Sequence, residues 1–269
     1  MVLNFTSIRY RSSNRSLLLS NTRVAKLNMY TVAVDTLEIV CQGIPAIDTN
    51  ELHPSIKVEP NEDIVKSLFY NQSFNIIVSD EETATLYTNP TSRLRYSIRD
   101  HCLLIIKNEI LYSKDAGTKI QNLVDMLKLK FYSYKTIHVA MDGIGMMERQ
   151  LYFKGQEIFE RSQKVQYAAI ENEVNKTIIE IRLGSRISDK YVVFYKKYKE
   201  AVSKGKHYII EYWKAAGFTK AECEDMERVE VRLKKSELKL ISRNFTELLT
   251  STYLMSLFRN KSEKVLLFL

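Results

Sequence analysis

Apolar and polar residues alternate with a period of two along several stretches of the chain, which is the pattern of half-buried β-strands. The clearest example is a pair of runs between residues 177 and 200. Its first run places Ile181 and Leu183 on one face, and its second places Val192 and Phe194 on one face. A polar Gly-Ser-Arg connection separates the two runs and favours a turn. The pattern predicts two strands joined by a basic turn.

The rest of the chain mixes strand and helix patterns. Strands are predicted at 29–41, 74–78, 94–98, 102–107, 136–142 and 228–234, with a short ordered stretch at 64–69. Helical spacing of apolar residues predicts helices at about 116–130 and 207–216, and closing helices at 236–241 and 252–259. Several hairpins occur without a helix between them, which favours an α+β fold, an antiparallel sheet with helices packed on one face. Residues 1–27 are rich in Ser, Asn and Arg, and we expect a disordered basic arm.

The charge balance changes the functional prediction. The 269 residues contain 40 Lys and Arg against 32 Asp and Glu, a net charge of +8. Such a surplus favours a polyanionic partner, nucleic acid first and an anionic membrane surface second, with a basic protein lacking any such partner as the plain alternative. The three cysteines are far apart and suit neither a zinc site nor a disulfide framework. With no run long enough for a membrane helix and no signal peptide pattern, we expect a cytoplasmic protein that does not bind membrane.

The outward positions of the predicted strands carry one set of chemical groups. They are His138, Asp142, Glu180, Arg182, Tyr191, Tyr195, Lys197, Arg228, Glu230 and Arg232. Carboxylates and an imidazole can serve a divalent cation, a tyrosine hydroxyl can attack a phosphodiester, and cationic side chains neutralise phosphate. Together they indicate metal-assisted DNA strand transfer. A solvated sheet face, packed tyrosines and a solvent-facing histidine would produce the same pattern.

Three blocks resemble the replication initiation factor family of rolling-circle plasmids and phages (the Rep_trans type), in the version found in Bacteroidetes-like bacteria and their phages. TIHVAMD at 136–142 is similar to the family's R-L-D-x-A-x-D strand. LGSRISDKYVVFYKKYKE at 183–200 is similar to its Y-[IF]-G-S-R-x-S-D-x-x-x-R-x-Y-x-K-x-x-E block. ERVEVRLK at 227–234 is similar to its W-R-x-E-x-x-x-[KR] strand.

The resemblance implies a curved antiparallel sheet built from two similar halves, at about 28–150 and 151–269. It also implies a protein that nicks origin DNA, single-stranded or cruciform, with a tyrosine and Mg²⁺ or Mn²⁺, and that works with a host helicase or as a homodimer. Asp142 and Glu230 would hold the metal with His138 nearby. The residues expected to contact DNA are Arg182, Arg186, Lys190, Lys197, Arg228 and Arg232.

One departure from the family pattern affects the predicted chemistry. The family's nucleophilic tyrosine aligns with Arg182, which cannot attack a phosphodiester. Tyr195 is therefore the first candidate nucleophile and Tyr191 the second, with Asp142 and Glu230 as the catalytic carboxylates. The alternatives are a catalytically degenerate DNA-binding protein of a plasmid or phage, and a structural or interaction protein that binds no DNA.

Overall fold

A computed structural model describes residues 29–47, 52–61, 69–91, 100–154, 167–171 and 178–262. The predicted basic arm at 1–27, the predicted strand at 94–98 and the stretch 64–68 lie outside these residues. The helices that the structure describes are all too short or too polar to cross a membrane.

Ten described strands form one open antiparallel sheet with the order β2-β3-β4-β5-β1-β6-β10-β9-β8-β7. They are β1 (Tyr30–Gln42), β2 (Ile56–Pro60), β3 (Tyr70–Val78), β4 (Glu81–Pro90), β5 (His101–Ile106), β6 (Lys130–Gly143), β7 (Tyr167–Glu171), β8 (Ile178–Leu183), β9 (Lys190–Lys196) and β10 (Glu227–Lys234). The two long strands β1 and β6 lie side by side at the centre. The predicted α+β fold with an antiparallel sheet is confirmed.

The strand order repeats itself across the centre of the sheet. On one side β1 pairs with β5, and β4, β3 and β2 follow outwards. On the other side β6 pairs with β10, and β9, β8 and β7 follow outwards in the same way. The two similar halves that the resemblance implied are therefore present in the topology. By strand order the second half begins at Lys130, and the predicted division of the chain near residue 150 stays a prediction.

The helices lie between and after the strands. They are α1 (Asn108–Leu111), α2 (Ala116–Met126), α3 (Met146–Lys154), α4 (Lys197–Ser203), α5 (His207–Ala215), α6 (Lys220–Glu224), α7 (Phe245–Leu248) and α8 (Ser251–Ser262), with a 3₁₀ helix at Lys235–Leu238. Gly217, at a φ of +98°, follows α5 as predicted. Thr219 and Glu222 form a reciprocal capping box that begins α6.

The main hydrophobic core lies on one face of the sheet. Inward strand residues such as Ile181, Phe194 and Val231 are fully buried there against apolar residues of α2, α7 and α8. This is the side predicted from the alternation in β8, β9 and β10, and the turn between β8 and β9 has Gly184 at a φ of +86°.

A second, smaller cluster covers one end of the opposite face. It is centred on Ile209 and Trp213 of α5, with Phe218, Cys223 and Met226 packed around them. α5 belongs to the long connection between β9 and β10 and covers this end of the polar face, while a neighbouring part of the same face stays open. That difference decides which of the predicted site residues can reach a ligand.

Candidate nucleic-acid cleft

An open cleft of about 400 Å³ lies on the uncovered part of the polar face. Strands β1, β6, β8, β9 and β10 and the region of α4 contribute to it. Its lining comprises Asp35, Thr36, His138, Glu180, Arg186, Tyr191, Val193, Tyr195, Lys197, Glu200, Lys204, Lys206, Glu230 and Arg232. Seven of these were predicted site residues, so antiparallel pairing brings distant strands together as the outward alternation indicated.

A β-bulge in β1 brings Asp35 into the site. Val34 pairs with Val139 and Thr36 pairs with His138, so Asp35 is the extra residue between two ladder pairs. The sequence carries a signal that was missed: the apolar residues that form the main core fall on even positions up to Val34 and on odd positions from Leu37 onwards. A change of phase in the alternation indicates a bulge. Here the extra residue is Asp35, and the bulge places its carboxylate in the cleft.

Glu230 is the hub of the hydrogen bonds in the cleft. Its Oε2 accepts a hydrogen bond from the Tyr195 hydroxyl at 3.0 Å. Its Oε1 lies 3.0 Å from Nδ1 of His138 and accepts from Nε of Arg232 at 2.8 Å. The Tyr195 oxygen in turn accepts from Nζ of Lys197 at 3.3 Å. A tyrosine hydroxyl thus lies between a carboxylate that can take its proton and a lysine that can stabilise negative charge on its oxygen.

Burial and neighbouring charges shift the pKa values of Tyr195, Glu230 and Lys197. The pKa of Tyr195 is raised far above its usual value, chiefly by burial and further by nearby carboxylates including Glu230. Burial would also raise the pKa of Glu230, but the hydrogen bond from His138 and the charge of Arg232 lower it on balance. Burial and the charge of Arg228 lower the pKa of Lys197. In the free protein Tyr195 is therefore a neutral phenol.

Arg228 and Asp142 are sealed beneath α5 instead of lining the cleft. Arg228 has 0% of its surface exposed, and its Nε and Nη2 donate to the two carboxylate oxygens of Asp142 at 2.6 and 2.7 Å. The indole of Trp213 donates to Asp142 Oδ2 at 2.8 Å, and Arg228 also pairs with Asp35 and Tyr112.

This arrangement corrects two predictions. Arg228 cannot contact a phosphate here because none of its surface is exposed. Asp142 does not share a pocket with Glu230, and both of its oxygens already accept hydrogen bonds from Arg228 and Trp213. Both residues act as a buried ionic anchor that ties β6 and β10 to α5, and we place neither of them among the groups that touch DNA.

The accessible cations at the mouth of the cleft are Arg186, Lys204 and Lys206, whereas Lys197 is buried. Glu200 pairs with Lys197, with Lys204 at 3.0 Å and with Lys206 at 3.5 Å, and these lysines lower its pKa to about 2 against the effect of burial. Arg186 lies exposed on the turn after β8 and makes no ion pair with any described residue. Strand alternation does not indicate Lys204 and Lys206, because both lie after the last residue of β9.

Tyr191 differs from Tyr195 in its surroundings. Only 3% of Tyr191 is exposed, and within the described residues its hydroxyl has no hydrogen-bond partner although it lines the cleft. The guanidinium of Arg232 lies 5.4 Å from the centre of its ring. A buried hydroxyl without a partner costs free energy, so this group is ready to donate to an incoming ligand oxygen.

Two other predicted DNA contacts lie outside the lining of the cleft. Arg182 is half-buried on β8 and pairs with Glu180, and Lys190 is half-buried at the start of β9. Their roles stay predictions.

The groups in the cleft fit a divalent ion only in part. The described residues contain no cluster of three or more His, Cys, Asp or Glu side chains suited to hold a metal. Glu230 and His138 are the pair that could contribute, and Mg²⁺ commonly takes one or two protein ligands with the remainder from substrate phosphate and water. Asp142 lies beneath α5, outside the lining of the cleft, and does not complete the set.

The lowered pKa values of Asp35 and Glu200 predict a stability that falls in acid. Burial raises the pKa of Asp35, but Arg228 and Lys197 lower it on balance below its usual value. Since the unfolded chain takes up these protons first, their contribution is complete above about pH 5 and is lost as pH falls towards about 2. We expect the free energy of unfolding, measured by urea titration between about pH 7 and pH 3, to fall over this range.

An Asp35→Asn variant should show a shallower fall than the wild type. The matched control is Glu211→Gln, which removes an exposed carboxylate from α5 and should keep the wild-type slope. If the free energy of unfolding falls with pH equally steeply in wild type and Asp35→Asn, the ion pair of Asp35 with Arg228 does not contribute to stability as proposed.

Comparison with known proteins gives a distant structural likeness. No family model and no curated protein matches the chain. Among solved structures the chain is similar to a rolling circle replication initiator protein from Geobacillus stearothermophilus, at 14% sequence identity and a TM-score of 0.43, over 77% of this chain and 75% of that one. A likeness at this level carries no argument about function, which has to be argued from the cleft itself.

Proposed function

We propose that the protein binds origin DNA and cleaves one strand through Tyr195, as rolling-circle replication initiators do. The observation that carries the proposal is the Tyr195 hydroxyl, bonded on one side to Glu230 and on the other to Lys197 in an open cleft. The net charge of +8 supports a polyanionic substrate. The three blocks of sequence that resemble the replication initiation factor family agree with it.

In the proposed reaction the oxygen of Tyr195 attacks the phosphorus of one phosphodiester. A bond forms between that oxygen and phosphorus, and the bond from phosphorus to the 3′ oxygen of the neighbouring nucleotide breaks. The phenolic proton passes to Glu230 Oε2, and water protonates the departing 3′ oxygen. Attack by a 3′ hydroxyl on the phosphotyrosine reverses these steps and rejoins the ends.

The neighbouring groups would orient Tyr195 and its substrate. His138 and Arg232 both bond Oε1 of Glu230, which keeps Oε2 turned towards the tyrosine. Lys197 would stabilise the negative charge that builds on the attacking and phosphoryl oxygens. Glu230 and His138 would hold Mg²⁺ or Mn²⁺ together with the substrate, and the ion would neutralise phosphate charge.

The remaining cationic groups would hold the DNA backbone on either side. Arg186 is exposed and free of ion pairs with described residues, and Arg232 is one-third exposed. Tyr191 and Tyr195 are four residues apart on one strand face, roughly 13 Å. The Tyr191 hydroxyl would therefore donate to a phosphate beyond the one that is cleaved.

A Tyr191→Phe variant tests that role. Removing a buried hydroxyl that has no partner should leave the free energy of unfolding unchanged or raise it by about 1 kcal/mol. The same change should weaken single-stranded DNA binding by about tenfold, since a hydrogen bond to a charged group is lost. Urea unfolding and fluorescence anisotropy measure the two effects. A variant that is both less stable and unchanged in binding would show that Tyr191 is only a packing residue.

Incubation with a supercoiled plasmid that carries the origin tests the proposed function directly. With Mg²⁺ or Mn²⁺ present we expect open circles and a covalent adduct between the protein and DNA, and chelation of the metal should suppress both. Tyr198→Phe, which removes a hydroxyl of α4 outside the cleft, is the matched control and should cleave like the wild type. No open circles and no adduct under any condition would remove the claim of catalysis.

A second candidate is a protein that binds origin DNA without cutting it. The observation in its favour is the mismatch of pKa values: that of Tyr195 is raised and that of its acceptor Glu230 is lowered, which disfavours proton transfer between them. Under this candidate Glu230→Gln binds origin DNA like the wild type, and neither protein forms an adduct. A host helicase and a homodimer stay predictions under both candidates.

A further inference from the structure

A larger groove of about 1110 Å³ lies beside the cleft, along the first half of β6. His138 lines both the groove and the cleft. The two concavities therefore meet at His138, where a nucleic-acid strand in the cleft could pass into the groove.

The groove exists because β10 is shorter than β6. The ladder between these strands ends where Lys234 pairs with Thr136, so residues 130–135 of β6 have no β10 residue beside them. The chain after β10 turns away as the 3₁₀ helix and returns to form the opposite wall. Tyr134 fixes that wall, because its hydroxyl donates to the carbonyl oxygen of Ser242 at 2.7 Å.

The walls of the groove carry a surplus of positive charge. Its cations are Lys135, Lys234, Lys239 and Arg243, and its carboxylates are Glu38 and Asp189. Glu38 pairs with Lys135 at 3.1 Å, and Asp189 accepts hydrogen bonds from Ser236. Lys234 and Lys239 make no ion pair with any residue in the part of the chain that the structure describes, so their charges face the groove uncompensated.

Aromatic rings lie among these charges. Tyr132 and Phe131 line the groove and are each half-buried. The Phe131 ring already packs against Phe245 of the main core, so Tyr132 is the ring better placed for stacking. The guanidinium of Arg243 lies 6.0 Å from the centre of the Phe131 ring. Rings interleaved with cations suit a single strand, whose bases expose their faces for stacking while its phosphates meet the lysines. In a duplex the base faces are already stacked and cannot use these rings.

We propose that this groove binds single-stranded nucleic acid that continues from the cleft. The proposal rests on the proposed function, since it extends the same strand. From Phe131 to His138 the groove follows seven steps along the strand, roughly 23 Å. At about 3.4 Å for each stacked nucleotide, that length accommodates about seven nucleotides.

The test uses the salt dependence of binding by the full chain. A fluorescent oligothymidylate of about 20 nucleotides is titrated by anisotropy over a range of NaCl concentrations, with wild type and with Lys234→Gln/Lys239→Gln. Each lost phosphate contact lowers the slope of log affinity against log salt by about 0.7 for a single strand, so the double variant should lose about 1.4 from the slope. Its affinity at about 0.1 M salt should fall tenfold or more. A Lys114→Gln/Lys220→Gln control changes net charge equally at exposed positions outside both concavities, and should keep the wild-type slope.

A Tyr132→Leu variant separates stacking from charge. It should bind the oligothymidylate about tenfold more weakly, with an unchanged salt slope and with little change in affinity for a duplex of equal length. If wild type binds DNA and Lys234→Gln/Lys239→Gln keeps the wild-type salt slope, the strand does not bind in the groove. The proposed function would then still stand. A wild type that binds no nucleic acid overturns the proposed function. An acidic peptide that displaces the oligonucleotide from wild type, and that binds the lysine variant poorly, would assign the groove to a protein partner and overturn the proposal.

Discussion

A Tyr195→Phe variant should bind single-stranded origin DNA within about threefold of wild type and should cut it at least about 10³-fold more slowly, with no covalent adduct. The variant loses only the oxygen that would attack phosphorus. The ring, the cations at the mouth of the cleft and the Tyr191 hydroxyl remain to hold the strand. Gel assays of plasmid nicking and of the protein–DNA adduct measure the loss, and anisotropy measures the retained binding.

The stability of this variant shows whether the loss is chemical. Glu230 keeps its bonds to His138 and Arg232 when the phenol is removed, so the free energy of unfolding should change by no more than about 1 kcal/mol. If Tyr195→Phe cleaves DNA at the wild-type rate, another residue is the nucleophile. A joint test with Tyr191→Phe distinguishes the two tyrosines, since that variant should keep the adduct and lose affinity.

Replacement of Arg228 by methionine should lower the free energy of unfolding by about 3–5 kcal/mol. The guanidinium is fully buried and bonds both Asp142 and Asp35, so its removal leaves buried Asp142 without a cation and Asp35 with only Lys197 at 3.9 Å. Urea unfolding at neutral pH measures the change. The matched control is Arg232→Met on the same strand face, whose side chain is 34% exposed and whose loss should cost about 1 kcal/mol or less.

The cause of that loss can be checked by removing the orphaned charges as well. A triple variant with Asp35→Asn, Asp142→Asn and Arg228→Met should recover at least half of the lost stability, because no charge then remains buried without a partner. If the triple variant is as unstable as Arg228→Met, the loss comes from packing of the arginine stem and not from its charge.

The anchor and the cleft depend on each other through β10. Arg228 and Glu230 are two residues apart on the same strand face, one beneath α5 and the other in the open cleft. Asp35 joins the two regions, since it pairs with Arg228 and also lies 3.9 Å from Nζ of Lys197. Stability from the buried anchor therefore fixes the strand that presents Glu230 to Tyr195, which is the geometry that a reacting phosphate would need.

Alternation in the sequence was enough to predict seven of the ten described strands, all but β2, β4 and β7, and to assign the two faces of β6, β8, β9 and β10. Period two is a local property of an extended chain, so Phe194 and Val231 could be assigned to the core, and Tyr195 and Glu230 to the opposite face, without knowledge of the fold. Alternation did not predict the place of Asp35, because a bulge changes the phase within β1 and the whole run reads as apolar. The charge of the chain and the chemistry of the polar face also followed from composition and side-chain type.

Only the tertiary structure decided which polar residues can meet a ligand. Arg228, Glu230 and Arg232 occupy equivalent alternate positions of one strand, yet their exposure differs. Arg228 is fully buried, Glu230 is 3% exposed and the Arg232 side chain is 34% exposed. The difference comes from Trp213 of α5, which reaches Asp142 across 71 residues and roofs one end of the face. Burial depends on which distant element packs over a strand, and no periodicity within the strand carries that information. For the same reason the groove beside the cleft, which arises where β10 stops and β6 continues, could be seen only once both strands were paired.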